Sequence, residues 1–364
     1  MAEGGRERAR RTTPRPEAAG TTRRSGGGRR RASMREVAAL ADVAISSVSR
    51  VLSGHPDVSE EMRDRVLDAV RRLEYAPDFL AQSLRRGQTL SVGFVLADIG
   101  NPLMAGIVTG AEAGLRAAGY SLVLMDSEND PELDAAHLRF FASRRMDGVI
   151  LSLASDEETA VLDLLRDFEA PVVLVDRTLP PEYGASAVFS DHAGGMAAAV
   201  EHLLALGHRR IALVTGSLGL LPGRERVAGL RRAVAGRADV TALELTGSFS
   251  AEHGAAATRA ILAMEPRPTA LIAGGNQILI GCIRELQAAG VRVGSDLSLV
   301  TCDDIPLSEL YQPPIATIGR EIATIGRTAA ELLLRRLAED RGPETVVLPT
   351  TFTPRASCAP PPRG

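Results

Sequence analysis

Between residues 33 and 77 apolar positions recur at helical spacing in three short blocks. Val37, Leu40 and Ala41 form one stripe behind Ser33-Met34-Arg35-Glu36, which fits a capping box in which hydroxyl and carboxylate each satisfy a free helix-end N–H. Asp42-Val43-Ala44 interrupts the pattern. Residues 45–52 then predict a second helix that turns Val48, Val51 and Leu52 inward and Ser46, Ser49 and Arg50 outward. After a loop of turn residues, Ser59 caps a third helix with Glu60 and Glu61 in its first turn and Met62, Val66, Val70 and Leu73 on one face. Three short helices, the first two joined by a three-residue turn, predict a helix-turn-helix module. Pro77 closes it. Residues 78–86 form a further candidate helix, closed by Gly87 and too short to hold alone in water.

From residue 91 the texture alternates. Continuous apolar runs at 91–96, 121–125, 148–153, 171–175, 211–215, 270–273 and 297–301 read as strands, with amphipathic helices such as 103–118, 193–206, 277–289 and 322–338 between them. Apolar strands joined by helical crossovers imply parallel sheets covered on both faces. The length of this pattern predicts two α/β lobes rather than one.

Composition changes the picture in one respect. The chain has 364 residues, 45% hydrophobic, with a formal net charge of −3, which taken as a total argues against nucleic acid. All 42 basic residues are arginine, however, and residues 1–90 hold eighteen of them against twelve acids, a net +6, while the remainder carries −9. Such asymmetry points to a nucleic-acid contact at the basic end. Residues 1–32 are Arg- and Gly-rich with almost no large apolar side chain, and are expected to form a disordered arm that adds phosphate attraction. The N-terminus has charges but no apolar stretch to follow them, and no apolar run nears the ~18–20 residues of a membrane span. A cytoplasmic protein without a membrane partner is therefore expected. Three cysteines without metal spacing exclude a disulfide framework.

The run 37–53, followed by Val58-Ser59-Glu60-Glu61 and Leu73-Glu74-Tyr75-Ala76-Pro77, resembles the N-terminal module of the lactose-repressor (LacI/GalR) family of bacterial transcription regulators. Asp98-Ile99-Gly100-Asn101-Pro102, Arg145-Met146-Asp147-Gly148, Val175-Asp176-Arg177, Gly207-His208-Arg209-Arg210 and Asp303-Asp304-Ile305-Pro306 extend the resemblance to about residue 358. It implies an operator-binding regulator, expected to be a repressor and a homodimer. A helix-turn-helix domain at 33–77 and a hinge helix with linker at 78–89 would precede a core at 90–358 that is similar to periplasmic sugar-binding proteins. Its first lobe would span about 90–188 plus 320–343, the second about 189–319 plus 344–358, with a tail at 359–364.

The resemblance also assigns roles. Ile45 and Ser46 stand where the family varies to select its operator. Ile45 either packs on a thymine methyl or contacts the first helix, and Ser46 can bond either kind of base. Arg50 suits guanine or a phosphate, or remains a solvated charge, and Ser47 and Ser49 suit phosphates. In the hinge, Leu84 matches a leucine that wedges into the minor groove, with Ala81 on the same face and Arg85 reaching phosphate. A small-molecule effector, a sugar or related polar metabolite, would sit between the lobes against Arg226, Asn276 and Asp303, with Asp98, Asp176 and Arg177 nearby and Phe249 stacking on a ring. An arginine fork with carboxylates suits either polyhydroxylated ligands or anions.

Departures from the family pattern touch both regions. Asp42 and Ala44 replace a frequent turn glycine and a frequent capping serine. Leu103-Met104, Leu220-Leu221-Pro222, Gln277 and Cys302 make the cleft less polar and less aromatic than a sugar site. No nucleotide-binding glycine loop or nucleophile elbow is present, and the six histidines do not cluster, so no enzyme activity, cofactor or metal is expected. Control by a partner protein, absence of an effector, or a solute-binding role for the core remain alternatives.

Overall fold

The computed structural model describes residues 32–53, 55–75, 87–339 and 341–362. The N-terminal unit contains α1 (Met34–Ala41), α2 (Ile45–Leu52) and α3 (Glu60–Arg72). Ser33 and Glu36 form the expected capping box. Asp42 ends α1 at φ 50°, a left-handed conformation that aspartate tolerates better than most residues. The three helices close over Val37, Ala38, Ala41, Val48, Val51, Val66 and Ala69. The stripe on α1 differs from expectation: Ala38 is buried and Leu40 is 48% exposed. Val37 and Ala41, four residues apart, point to the centre, and a residue three along from Val37 falls beside that face.

The second unit is built on two six-stranded sheets. In the first, β1 (Ser91–Leu96), β2 (Ser121–Asp126), β3 (Gly148–Leu151), β4 (Val172–Val175) and β5 (Ser186–Ser190) pair in parallel. Alternate residues of each strand face opposite layers. Val92, Phe94 and Leu96 meet α4 (Pro102–Ala117) and α12 (Ile322–Ala338), while Val95 and Val149 meet α5 (Pro131–Ser143) and α6 (Thr159–Arg166). Both faces are thus apolar, and the strands read as continuous hydrophobic runs for that reason. Helices α4 and α12 pack at close range: a Cβ on Gly326 would lie 1.9 Å from the Ile107 carbonyl oxygen and one on Gly110 2.1 Å from that of Ala323.

The second sheet follows the same plan. Its strands are β6 (Arg210–Thr215), β7 (Thr241–Thr246), β8 (Ala270–Gly274), β9 (Ser298–Cys302) and β10 (Ala316–Gly319), with β12 (Thr351–Thr353) antiparallel at one edge. Helices α7 (His192–Ala205) and α8 (Leu221–Val234) cover one face, α9 (Ala251–Leu262) and α10 (Asn276–Ala288) the other. The short α11 (Pro306–Leu310) follows β9.

The chain crosses between the lobes near residue 191, after Gly319 and between Leu348 and Thr351. The third crossing corrects the expected boundary, which gave 344–358 to the second lobe. Strand β11 (Thr345–Leu348) instead pairs in parallel with β5, Val346 opposite Val188, and rests Val346 and Leu348 on the first core. Ala359, expected to open a tail, is also anchored: its carbonyl lies 2.9 Å from His208 Nε2 and its N–H donates to Ser298 Oγ at 3.1 Å.

Candidate functional sites: an exposed helix start and an inter-lobe cleft

On α2 the first residues face outward. Ile45 is 45% exposed and is not part of the module's apolar core, which favours an outward role over packing on α1. Ser46 and Arg50 are exposed, and Ser47 and Ser49 half-buried, while Val48 and Val51 hold the helix to its neighbours. Ala44 occupies the N-cap with extended backbone and no side-chain cap. The helix therefore presents a hydrocarbon and a hydroxyl at its uncapped start and a guanidinium in its last turn, a surface able to meet base edges and phosphates. Ala81, Leu84 and Arg85, the expected hinge contacts, lie outside the described residues.

In the larger unit, chemistry gathers beyond the carboxyl ends of the strands, where open α/β sheets bind ligands. All seven expected effector residues, Asp98, Asp176, Arg177, Arg226, Phe249, Asn276 and Asp303, line one cleft between the lobes, of about 650 Å³ including its open mouth. Asp98 follows β1, Asp176 and Arg177 follow β4, and Asp303 follows β9. Asp176 (φ 51°) and Asp303 (φ 73°) both adopt the left-handed conformation that turns their carboxylates into the cleft.

The sequence reading missed the central residue. Arg320, just past β10, has a side chain only 4% exposed, pairs with Asp176 Oδ2 and donates from Nε to Asp303 Oδ1 at 2.8 Å. It joins a carboxylate of the first lobe to one of the second. The other oxygen of Asp176 lies 3.2 Å from His192 Nε2. Burial pushes the Asp176 carboxyl up, but Arg320 and His192 outweigh it and hold the group well below the usual aspartate value. Burial lowers the His192 pKa from its ordinary value, against the opposing pull of Asp176.

Further contacts cross the cleft. Asn276 Nδ2 donates to Asn101 Oδ1 at 2.6 Å, and Arg224 Nη2 reaches Asp156 Oδ2 at 3.3 Å and Thr178 Oγ1 at 3.1 Å. Arg177 is turned away from the opening, donating to the carbonyls of Leu153 at 2.5 Å and Asp176 at 2.8 Å. Arg226 Nη1 donates to the Gly274 carbonyl at 2.7 Å, and its guanidinium lies 5.6 Å from the Phe249 ring centre. Leu103, Met104, Leu220 and Pro222 supply an apolar wall. Among the described residues no group of three acidic, histidine or cysteine side chains could hold a metal, and no helix is long and apolar enough to cross a membrane.

Comparison with known proteins adds independent findings. Residues 33–78 match the family model for bacterial regulatory proteins of the lacI family, and residues 200–358 that for a periplasmic binding protein-like domain. The HTH-type transcriptional repressor PurR of Haemophilus influenzae (strain PittEE) is 33% identical over 320 residues, covering 85% of this chain and 93% of that protein. PurR of Aliivibrio salmonicida is 31% identical over 311 residues, covering 85% and 93%. Among solved structures, the Lac repressor dimer bound to operator and the anti-inducer ONPF superposes with a TM-score of 0.80 at 26% identity, covering 90% of this chain and 99% of that one. The transcriptional regulator CelR in complex with cellobiose gives 0.68 at 30% identity, covering 90% and 100%.

Proposed function

The chain belongs to the LacI family of bacterial regulatory proteins and is a DNA-binding transcriptional regulator, and from that membership we infer that it is a cytoplasmic repressor that binds a palindromic operator as a homodimer. The observation that carries the DNA-reading part is the outward face of α2, with Ile45 and Ser46 exposed in its first turn and Arg50 in its last, while Val48 and Val51 hold the helix to the module. In a helix-turn-helix that end lies in the major groove, and two half-sites call for a twofold protein. Ser47 and Ser49 face the backbone on either side, and Ala81, Leu84 and Arg85 belong to the hinge that engages the minor groove.

Control comes from a small molecule in the inter-lobe cleft. Support comes from the convergence of the seven expected residues on one cavity and from relatives solved with small ligands, cellobiose in CelR and ONPF in the Lac repressor. On this reading the protein acts by binding, as a regulator whose relatives are transcriptional repressors.

In-vitro selection of bound DNA from a random pool tests the reading. The expected product is an inverted repeat. Arg50→Ala should weaken binding to it by about 1–3 kcal/mol in fluorescence anisotropy and relax specificity at one position in each half-site. Selection of no repeat, or unchanged binding by Arg50→Ala, would remove the assigned reading mode.

A further inference from the structure

Three features of the cleft bear on the chemistry of its ligand. The first is that three of the four oxygens of its two central carboxylates already have partners. Asp176 uses one oxygen on His192 and the other on Arg320, and Asp303 Oδ1 accepts from Arg320. A neutral polyol needs such oxygens to receive its hydroxyl protons. Asp98, at the rim, is half-buried and accepts from the Gly100 N–H at 2.8 Å.

The second is Arg226. It is 3% exposed and lines the cavity, its Nε has no hydrogen-bond partner, and among the described residues no carboxylate pairs with it. Cys302, whose thiol burial pushes up, supplies no counter-charge. A buried guanidinium with a donor unmet is expensive to keep, and an acceptor on a ligand would relieve it.

The third is helical. The 14-residue α8 and 13-residue α10 both begin at this cleft, and neither of their N-cap residues, Leu220 and Gly275, supplies a side-chain cap. Gln277 N–H is already taken by Asn276 Oδ1 at 2.8 Å and Pro222 has no N–H, so what these starts offer an anion is the helix dipole and the remaining first-turn N–H groups.

We propose that the cleft takes a small molecule bearing an oxyanion, a carboxylate or a phosphate, seated on Arg226 and the starts of α8 and α10, with an apolar or aromatic body against Phe249, Leu103 and Met104. Arg320 contributes to this preference by taking one oxygen from each of Asp176 and Asp303, which leaves fewer acceptors for the hydroxyls of a neutral polyol. The proposal rests on the cleft being the effector site and decides between the two ligand classes that an arginine fork with carboxylates admits.

The test uses the full chain and four probes of similar size: benzoate, phenyl phosphate, benzamide and phenyl glucoside, followed by thermal shift and calorimetry at constant ionic strength. At least one anion should bind about tenfold more tightly than either neutral probe, the size of one charge-assisted hydrogen bond. Benzoate and phenyl phosphate separate carboxylate from phosphate. Arg226→Gln should abolish the preference and Arg226→Lys should keep part of it; if Arg226→Gln does not fold, the wild-type ranking and Arg226→Lys still decide. Binding of the glucoside or benzamide as tight as that of the anions overturns the oxyanion assignment and leaves the cleft as an effector site. Anion binding that survives in Arg226→Gln places the anion elsewhere and also overturns it. If none of the four binds, the oxyanion assignment falls, and the cleft reading is decided separately by whether any of a panel of free sugars and nucleosides binds the full chain in the same thermal-shift assay.

Discussion

Arg320 is the side chain on which the balance of the cleft turns. With two buried carboxylates as partners, its charge is compensated only while both are present. Asp176→Asn removes the partner it shares with His192 and should destabilise the core by about 3–5 kcal/mol, measured by urea unfolding, because a buried charge is left half-matched. The linkage has a defined sign. The folded pKa of Asp176 is depressed, so its contribution is fully present above the unfolded value and fades only as pH falls through the lower, folded one. The wild-type and Asp176→Asn stabilities should therefore converge only in strong acid. Arg320 had no signal in the sequence: it is one arginine among 42, in a turn without periodicity, and its role exists only because a crossing segment passes between two aspartates distant in sequence. Asp176, Arg226 and Asp303 were legible because they lie in family motifs; that Arg177 turns inward was not.

At the scale of elements, the helix-turn-helix carries a correctable weakness. Ala44 holds the extended backbone of an N-cap (φ −67°, ψ 151°) without a side-chain acceptor, and it is exposed. Ala44→Ser should stabilise α2 by about 1 kcal/mol, seen as roughly fivefold slower amide exchange in that helix. No slowing would mean that the serine hydroxyl does not reach the second or third N–H. Helices and the strands with unbroken apolar runs, the edge strand β2 among them, were readable because a 3.6-residue period and those runs survive in the sequence. The interior strands β5 and β10, interrupted by serine, threonine or glycine, and the edges β7, β11 and β12 were not. Thr241–Thr246 is half-exposed and alternates polar with apolar, and Thr345–Leu348 is too short to declare its sheet. Which lobe β11 joins is settled by Val346 and Leu348 meeting the first core, a contact that no local pattern encodes.

For the whole molecule, the separation of +6 in residues 1–90 from −9 in the rest makes DNA binding salt-sensitive. Operator affinity should fall linearly on a log–log plot against salt, with a slope of about −0.9 per phosphate neutralised. Deleting residues 1–32, which carry ten of the arginines, should flatten that slope; a slope indifferent to the deletion would show that the arm makes no phosphate contact. The interlacing of the two lobes has a different consequence, one of timing. Helix α12 supplies Ile325, Ala329, Leu332 and Leu333 to the core of the first lobe, yet it is synthesised after almost the entire second lobe. Strands β11 and β12, the edges of the two sheets, come later still. On the ribosome, neither half can close when its own first strands emerge. One face of the β1–β5 sheet has only α4 to cover it while more than a hundred further residues are added, and the part that awaits α12 is where chaperone capture and misassembly would concentrate.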